Sequence, residues 1–107
     1  MELLTDEIIE EFKKQDDTSF KKAEEVKIIA KFFNPTGAGT WFATEYNPIE
    51  RIFFGYANLG DREMAELGYF SLDELQEYRG RFGLGIERDL HFGDHTLREV
   101  MDARGVM

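Results

Sequence analysis

The sequence predicts a small α+β domain, in which an antiparallel meander sheet of four to five strands packs with three short helices. Its 107 residues suffice for one globular domain with one core, and we expect residues 1–107 to form that domain. The central third alternates with a period of two, as strands do. Three other segments have helical spacing or begin with a helix-capping sequence.

The first helix is predicted over residues 5–15. Thr5 is a suitable N-cap, because its hydroxyl can accept from a backbone N–H of the first turn. Leu4, Ile8 and Phe12 recur every four residues and form an apolar stripe. This helix should therefore pack one face on the rest of the domain.

Strands are predicted over residues 26–33, 40–46 and 51–58, with turn-rich loops between them. Alternation assigns the side chains of each strand to faces. In the first strand, one face carries Val26, Ile28, Ala30 and Phe32. In the second, Trp41, Ala43 and Glu45 lie opposite Phe42, Thr44 and Tyr46, and in the third, one face carries Ile52, Phe54 and Tyr56. Because both faces carry large apolar groups, we expect both to be at least partly covered.

Two capping sequences predict the later helices. Ser71–Glu74 begins a helix expected over residues 72–79, which Gly80 ends, and Thr96–Glu99 begins one over 97–104, with Gly105 as its C-cap. Both sequences have the serine or threonine and the glutamate at the spacing of a capping box.

A further strand is predicted over residues 86–92, where apolar and charged residues alternate. Arg88 lies within this pattern. A buried charge must be paired, so we expect Arg88 to contact Asp73 or Glu74 and to hold the sheet to a helix.

Charge and composition exclude several function classes. The net charge is −9, concentrated in residues 1–25 and 60–80, and it disfavours direct binding to nucleic acid or an anionic membrane. The absence of cysteine excludes disulfide scaffolds and thiolate metal sites. We expect no secretory signal, because the first residues are acidic, and no apolar run is long enough to span a membrane. These features favour a cytoplasmic protein.

One cluster could carry small-molecule chemistry. Arg88, Asp89 and His91 define a possible pocket for a ligand, a metal ion or an enzymatic reaction, and Asp94 and His95 follow closely. Ordinary turn chemistry explains the same residues. The glycine-rich segments at 37–39 and 83–85 complete no phosphate-binding motif. We therefore assign no catalytic residue, cofactor or metal.

A second set of residues favours contact with a protein. Aromatic side chains on the central strands exceed what one core face absorbs, and the second acidic block follows them. The candidate interaction surface consists of Trp41, Glu45, Tyr46, Tyr56, Asp61, Glu63 and Glu66.

Several segments also resemble one family. They are residues 1–5, 31–35, 40–46, 53–56, 67–75 and 85–92, in that order. Together they resemble the small bacterial and phage family catalogued as domain of unknown function 2958. The resemblance implies a domain of about this length, encoded on plasmids, integrative elements or phages, and it implies no particular activity. Members commonly have a Leu-Pro-rich segment after the first helix, which residues 12–17 lack.

These observations favour a non-enzymatic acidic interaction module that binds a protein, with nucleic-acid-handling proteins as one class of partner. In its sharpest form, the carboxylates would imitate a phosphate backbone, although lysine and arginine interrupt the acidic blocks. The alternative is a ligand- or metal-binding domain or an enzyme, with its pocket near Arg88. The chain could act as a monomer or as a homodimer that covers an exposed sheet face.

Overall fold

The computed structural model describes residues 1–107. Its helices are α1 (Asp6–Gln15), α2 (Leu72–Glu77) and α3 (Leu97–Asp102). Its strands are β1 (Ala30–Phe33), β2 (Thr40–Asn47), β3 (Ile52–Asn58), β4 (Glu66–Ser71) and β5 (Glu87–Arg88). Single 3-10 turns occur at Ala23–Glu25, Arg62–Met64 and Arg81–Gly83. None of the helices has the length and apolar character needed to cross a membrane.

The five strands form one antiparallel sheet in the order β4-β3-β2-β1-β5. The first four are a meander of sequential neighbours, and β5 returns to pair with β1. This confirms the predicted α+β class. Strand β4 was not predicted, because its six residues include a glycine, which weakens strand propensity, and they precede a helix cap directly.

Each face of the sheet carries its own apolar core, as the sequence predicted. On the α1/α2 face, both helices pack over the fully buried Phe32 and Phe53. On the α3 face, α3 packs over Phe42 and Tyr56. Because the strands contribute alternate side chains to the two cores, the meander is the middle layer of a three-layer domain.

A β-bulge in β2 corrects the predicted faces of Glu45 and Tyr46. Ala43 lies opposite Gly55 and Glu45 lies opposite Phe54, so Thr44 is an extra residue in the ladder. Thr44 is fully buried, and its hydroxyl donates to the carbonyl of Phe54 (3.2 Å). Tyr46 therefore joins Trp41 on the α1/α2 face, whereas simple alternation placed these residues on opposite faces.

The strand predicted over residues 26–33 is shorter than expected. Only residues 30–33 pair in the sheet, whereas Lys27 forms an isolated bridge with Thr96, before α3. Val26 and Ile28 consequently belong to the α3-face core, and Ala30 and Phe32 belong to the other. One continuous strand would have placed all four on one face.

The strand predicted over residues 86–92 is limited to Glu87–Arg88. The chain turns immediately afterwards, because the side chain of Asp89 accepts from the backbone N–H of His91 (2.9 Å) and Gly93 has a positive φ of 79°. This local bond competes with strand pairing.

The expected pairing of Arg88 with Asp73 or Glu74 is wrong. Its guanidinium donates to the backbone carbonyls of Glu2 (2.8 Å) and Leu3 (3.0 Å). Residues 1–3, here called the strap, thereby lie along β5, and the side chain of Leu3 is 1% exposed in the α1/α2-face core. Asp73 instead binds Arg51 (2.8 Å).

The helix starts were predicted well, and two of the ends were not. Thr5, Ser71 and Thr96 all act as N-caps, and the complete capping box forms only at Thr96. Helix α2 ends at Glu77 rather than near residue 79, since Tyr78 is already extended (ψ 135°). Helix α3 ends at Asp102, two residues before the predicted end.

Candidate functional site

A groove of about 760 Å³ crosses the α1/α2 face beside β4, and we call it the Trp41 groove. Small residues on the sheet, Ala57 and Gly68, leave the space open. Apolar and aromatic side chains surround it: Trp41, Leu59, Met64, Phe70, Leu75 and Tyr78. Such an open apolar surface on a small domain is typical of a binding site.

The loop between β1 and β2 positions both aromatic walls of the Trp41 groove. Gly39 has a φ of +124°, and a Cβ there would lie 2.6 Å from the Trp41 ring, so only glycine permits the ring to pack over this loop. Across the groove, the Tyr78 hydroxyl accepts from the side-chain amide of Asn34 (3.2 Å). Asn34 also bonds within its own loop, so both walls are tied to the β1–β2 connection.

The charged residues that line the Trp41 groove are all acidic: Asp61, Glu66 and Glu74. None of the three forms an ion pair, although acids elsewhere pair with Lys13, Lys14, Lys31, Arg51, Arg98 and Arg104. No lysine or arginine lines the groove. The groove therefore combines apolar walls with uncompensated negative charge.

The predicted interaction surface is divided by the fold. Trp41, Asp61 and Glu66 meet in the Trp41 groove. Tyr56 is instead buried in the α3-face core, where its hydroxyl donates to the Ala65 carbonyl (3.3 Å). Glu63 lies near the groove but binds Arg104 (2.9 Å).

Glu45 and Tyr46 lie elsewhere, in a cleft between the end of α1 and the β2–β3 turn. The Glu45 carboxylate accepts from the backbone N–H and the hydroxyl of Thr18 (2.9 and 2.5 Å), so it holds the loop after α1. Tyr46 packs against Phe12 and Phe53, at 5.9 and 4.9 Å between ring centroids, and burial raises the pKa of its hydroxyl. Both residues have structural roles.

Arg88, Asp89 and His91 do not converge on a cavity. None of the main grooves is lined by any of them. Asp89 accepts from the His91 backbone N–H, which lowers the pKa of the Asp89 carboxyl, and its pairing with Lys31 (3.1 Å) adds to this effect. The His91 side chain is exposed, and no three acidic or histidine side chains of the structure form a metal-binding group.

His95, the other histidine, belongs to the start of α3. Its Nδ1 lies 3.0 Å from a carboxylate oxygen of Glu99, and this hydrogen bond lowers the pKa of Glu99. The ring also packs on Phe92, with 4.4 Å between centroids. His95 therefore supports the capped helix rather than a pocket.

Sequence reasoning missed the residues that β4 and α2 contribute to the groove: Leu67, Gly68, Phe70, Glu74 and Tyr78. The alternation of Glu66, Gly68 and Phe70 with Leu67 and Tyr69 was the available signal for a strand with two different faces. Without β4, the second acidic block had no defined place beside Trp41.

Comparison with known proteins identifies a family for this chain. The family model described as "Protein of unknown function (DUF2958)" matches residues 3–103, which is nearly the whole chain. No curated protein and no solved structure matches the chain.

Proposed function

The chain belongs to the DUF2958 family, and we propose that it is a non-enzymatic module that binds a protein partner through the Trp41 groove. One observation carries the proposal. Three acids without ion-pair partners surround an open apolar surface from which lysine and arginine are absent.

The chemistry of the groove favours a basic protein surface. Aromatic walls such as Trp41 and Tyr78 offer apolar area of the kind found at the centre of interfaces, and the acids form a charged rim. Rim charges steer association and select partners more than they add affinity. A phosphate polymer would be repelled by the same rim.

Nucleic-acid-handling proteins fit this requirement, because they carry basic patches. The sequence motifs resemble those of a protein family encoded on plasmids, integrative elements and phages. This resemblance favours the same class of partner and a cytoplasmic setting. The acidic rim is small, so we propose an apolar contact guided by charge rather than an imitation of a whole phosphate backbone.

The test compares two double variants with the same net charge. Glu66→Gln/Glu74→Gln removes charge from the groove, and the control Glu25→Gln/Glu77→Gln removes it from exposed positions outside the groove lining. The wild type and the two variants are immobilised separately and exposed to lysate of the source cell. Bound proteins are then eluted in steps of increasing salt.

We expect one or more basic proteins to be retained by the wild type and the control, and to leave the groove variant at lower salt. The reason is that screening and charge removal weaken the same electrostatic contact. Equal retention of every protein by all three baits would contradict the proposal.

A further inference from the structure

The outer edge of β4 is an unpaired strand edge. β4 pairs with β3 alone, through a continuous register from Glu66 to Ser71. The carbonyl of Phe54 accepts from Thr44 on the β2 side, and that of Arg51 accepts from the N–H of Leu72 at the end of β4. Because strand groups alternate in direction, the N–H and C=O of Leu67 and Tyr69 point away from the sheet.

Nothing in the chain covers these outward groups. No backbone hydrogen bond outside the sheet involves Leu67 or Tyr69, and the side chain of Tyr69 is 78% exposed. Proteins usually protect such an edge with lysine, proline or a bulge. Residues 66–71 contain no lysine or proline, and the register is unbroken.

The Trp41 groove begins directly beside this edge. A Cβ at Gly68 would meet no atom within 4 Å, so the space above this position is open. A strand added next to β4 would place alternate side chains on the α1/α2 face, beside Gly68 and toward Trp41. The remaining side chains would lie on the opposite face, beside Leu67 and Tyr69.

The charge of this region selects the occupant. Glu66 lies on the edge strand, Glu74 and Asp61 line the same groove, and each lacks an ion-pair partner. A second copy of this chain would bring another acidic edge and another net charge of −9. A basic segment complements the site, and a homodimer through β4 does not.

We propose that the partner contributes an extended basic segment that adds to β4 as a sixth strand. Its backbone pairs with Leu67 and Tyr69, its apolar side chains enter the Trp41 groove, and its lysine or arginine side chains approach Glu66 and Glu74. Strand addition combines backbone hydrogen bonds for affinity with side-chain pockets for specificity. This inference rests on the function proposed above and names the form of its ligand.

The first experiment selects ligands without assuming a sequence. Random peptides displayed on phage are selected on the wild type and counter-selected on Glu66→Gln/Glu74→Gln. We expect the retained peptides to carry apolar residues and lysine or arginine two residues apart, because Gly68, Glu66 and Glu74 all lie on the α1/α2 face. An unenriched pool, an acidic pool, or apolar residues at helical spacing would overturn the proposal.

The second experiment tests backbone pairing with the best selected peptide. Two versions of the peptide are N-methylated, one at the odd-numbered amides and one at the even-numbered amides. Each version loses the N–H donors along one edge of the peptide and keeps all its side chains. Trp41 is the only tryptophan, so its fluorescence reports occupancy of the groove. We expect methylation of one edge to weaken binding at least about tenfold and methylation of the other to have little effect.

A matched pair of protein variants completes the test. Leu67→Pro removes an outward donor at an edge position where proline is tolerated, and Leu67→Ala removes only the side chain. We expect Leu67→Pro to bind the peptide about tenfold more weakly than Leu67→Ala, while NMR spectra of both variants show the sheet intact.

The outcomes separate the two proposals. Peptide binding that needs Glu66 and Glu74 but tolerates methylation on both edges would overturn strand addition and leave the module intact. Binding that ignores the groove acids would count against both. A concentration-dependent dimer in sedimentation that Leu67→Pro abolishes would identify the edge as a self-association site and overturn the basic ligand.

Discussion

The two outer strands of the sheet differ in length, in covering and in what lies beside them. β5 has two residues, and the strap covers it through the Arg88 guanidinium and the buried Leu3 side chain. β4 has six residues, no covering segment and an open groove alongside. One edge is closed by the protein's own chain, and the other is open.

This difference indicates which polar groups the fold satisfies by itself. At β5, even the N–H of Arg88 has a contact, with the sulfur of Met1 at 3.2 Å. At β4, the outward groups of Leu67 and Tyr69 rely on water or on a partner. The covered edge contributes to stability, whereas we propose a role in recognition for the open one, so mutations at the two edges should have different consequences.

The largest effect is expected from a pair of leucine truncations. Leu3→Ala leaves a cavity in the α1/α2-face core and should lower the free energy of unfolding by about 2–5 kcal/mol. Leu67→Ala at the open edge should change it by less than about 0.5 kcal/mol, because this side chain is 41% exposed. Urea unfolding measures both free energies, and equal losses would show that the two edges contribute equally to stability.

An intermediate effect is expected from Arg88→Ala. The substitution removes charged donors from the carbonyls of Glu2 and Leu3, and it should cost about 1.5–3 kcal/mol of unfolding free energy. Arg81→Ala is the control, since Arg81 is exposed and makes no side-chain hydrogen bond or ion pair. In Arg88→Ala, the backbone amides of the strap and of β5 should exchange hydrogen faster than in the wild type. Unchanged exchange there would mean that Leu3 alone holds the strap.

The smallest effect concerns pH. The pKa of Asp89 is lowered by the His91 backbone N–H and by Lys31, so its charged form stabilises the fold above its unfolded pKa of about 3.9. That contribution is lost as pH falls below about 4 through the folded pKa. Asp89→Asn should therefore be less stable than the wild type by about 1 kcal/mol at neutral pH.

The difference in stability between Asp89→Asn and the wild type should disappear in acid, because the wild-type carboxyl is then neutral as well. Melting temperatures measured across this range test the expectation. Asp94→Asn, in the same loop and without an ion-pair partner, is the control and should follow the wild type. A constant difference at all pH values would assign the effect to packing.

The fold was predictable where local signals agree with the tertiary structure. Thr5, Ser71 and Thr96 cap helices as their positions indicate, because capping involves only neighbouring residues. Element lengths were less predictable. The strand predicted from Val26 has its paired register with β2 only from Ala30 to Phe33, because Lys27 bridges to Thr96, far along the chain.

The candidate site was predictable only in part. Trp41 and the acids Asp61 and Glu66 were identified by their chemical character, and the fold brings them together. Tyr56 has the same aromatic character and is buried, because the face of a strand decides exposure and register decides the face. The partners of Arg88 could not be predicted, because they are backbone carbonyls, which every residue has.

The bulge at Thr44 determines which residues of β2 face each of the two cores. A regular ladder over the same residues would pair Glu45 with Phe53, so it would carry Glu45 into the aromatic cluster of Phe12 and Phe53 and expel Tyr46 from it. Deletion of Thr44 itself would leave these faces unchanged, whereas deletion elsewhere in β2, as at Phe42, would reverse the faces on one side of the deletion. The loop between β1 and β2 has no ladder register to keep, so apart from Asn34 and Gly39 it can absorb insertions. Two neighbouring segments of one hairpin therefore differ sharply in the length changes that they tolerate.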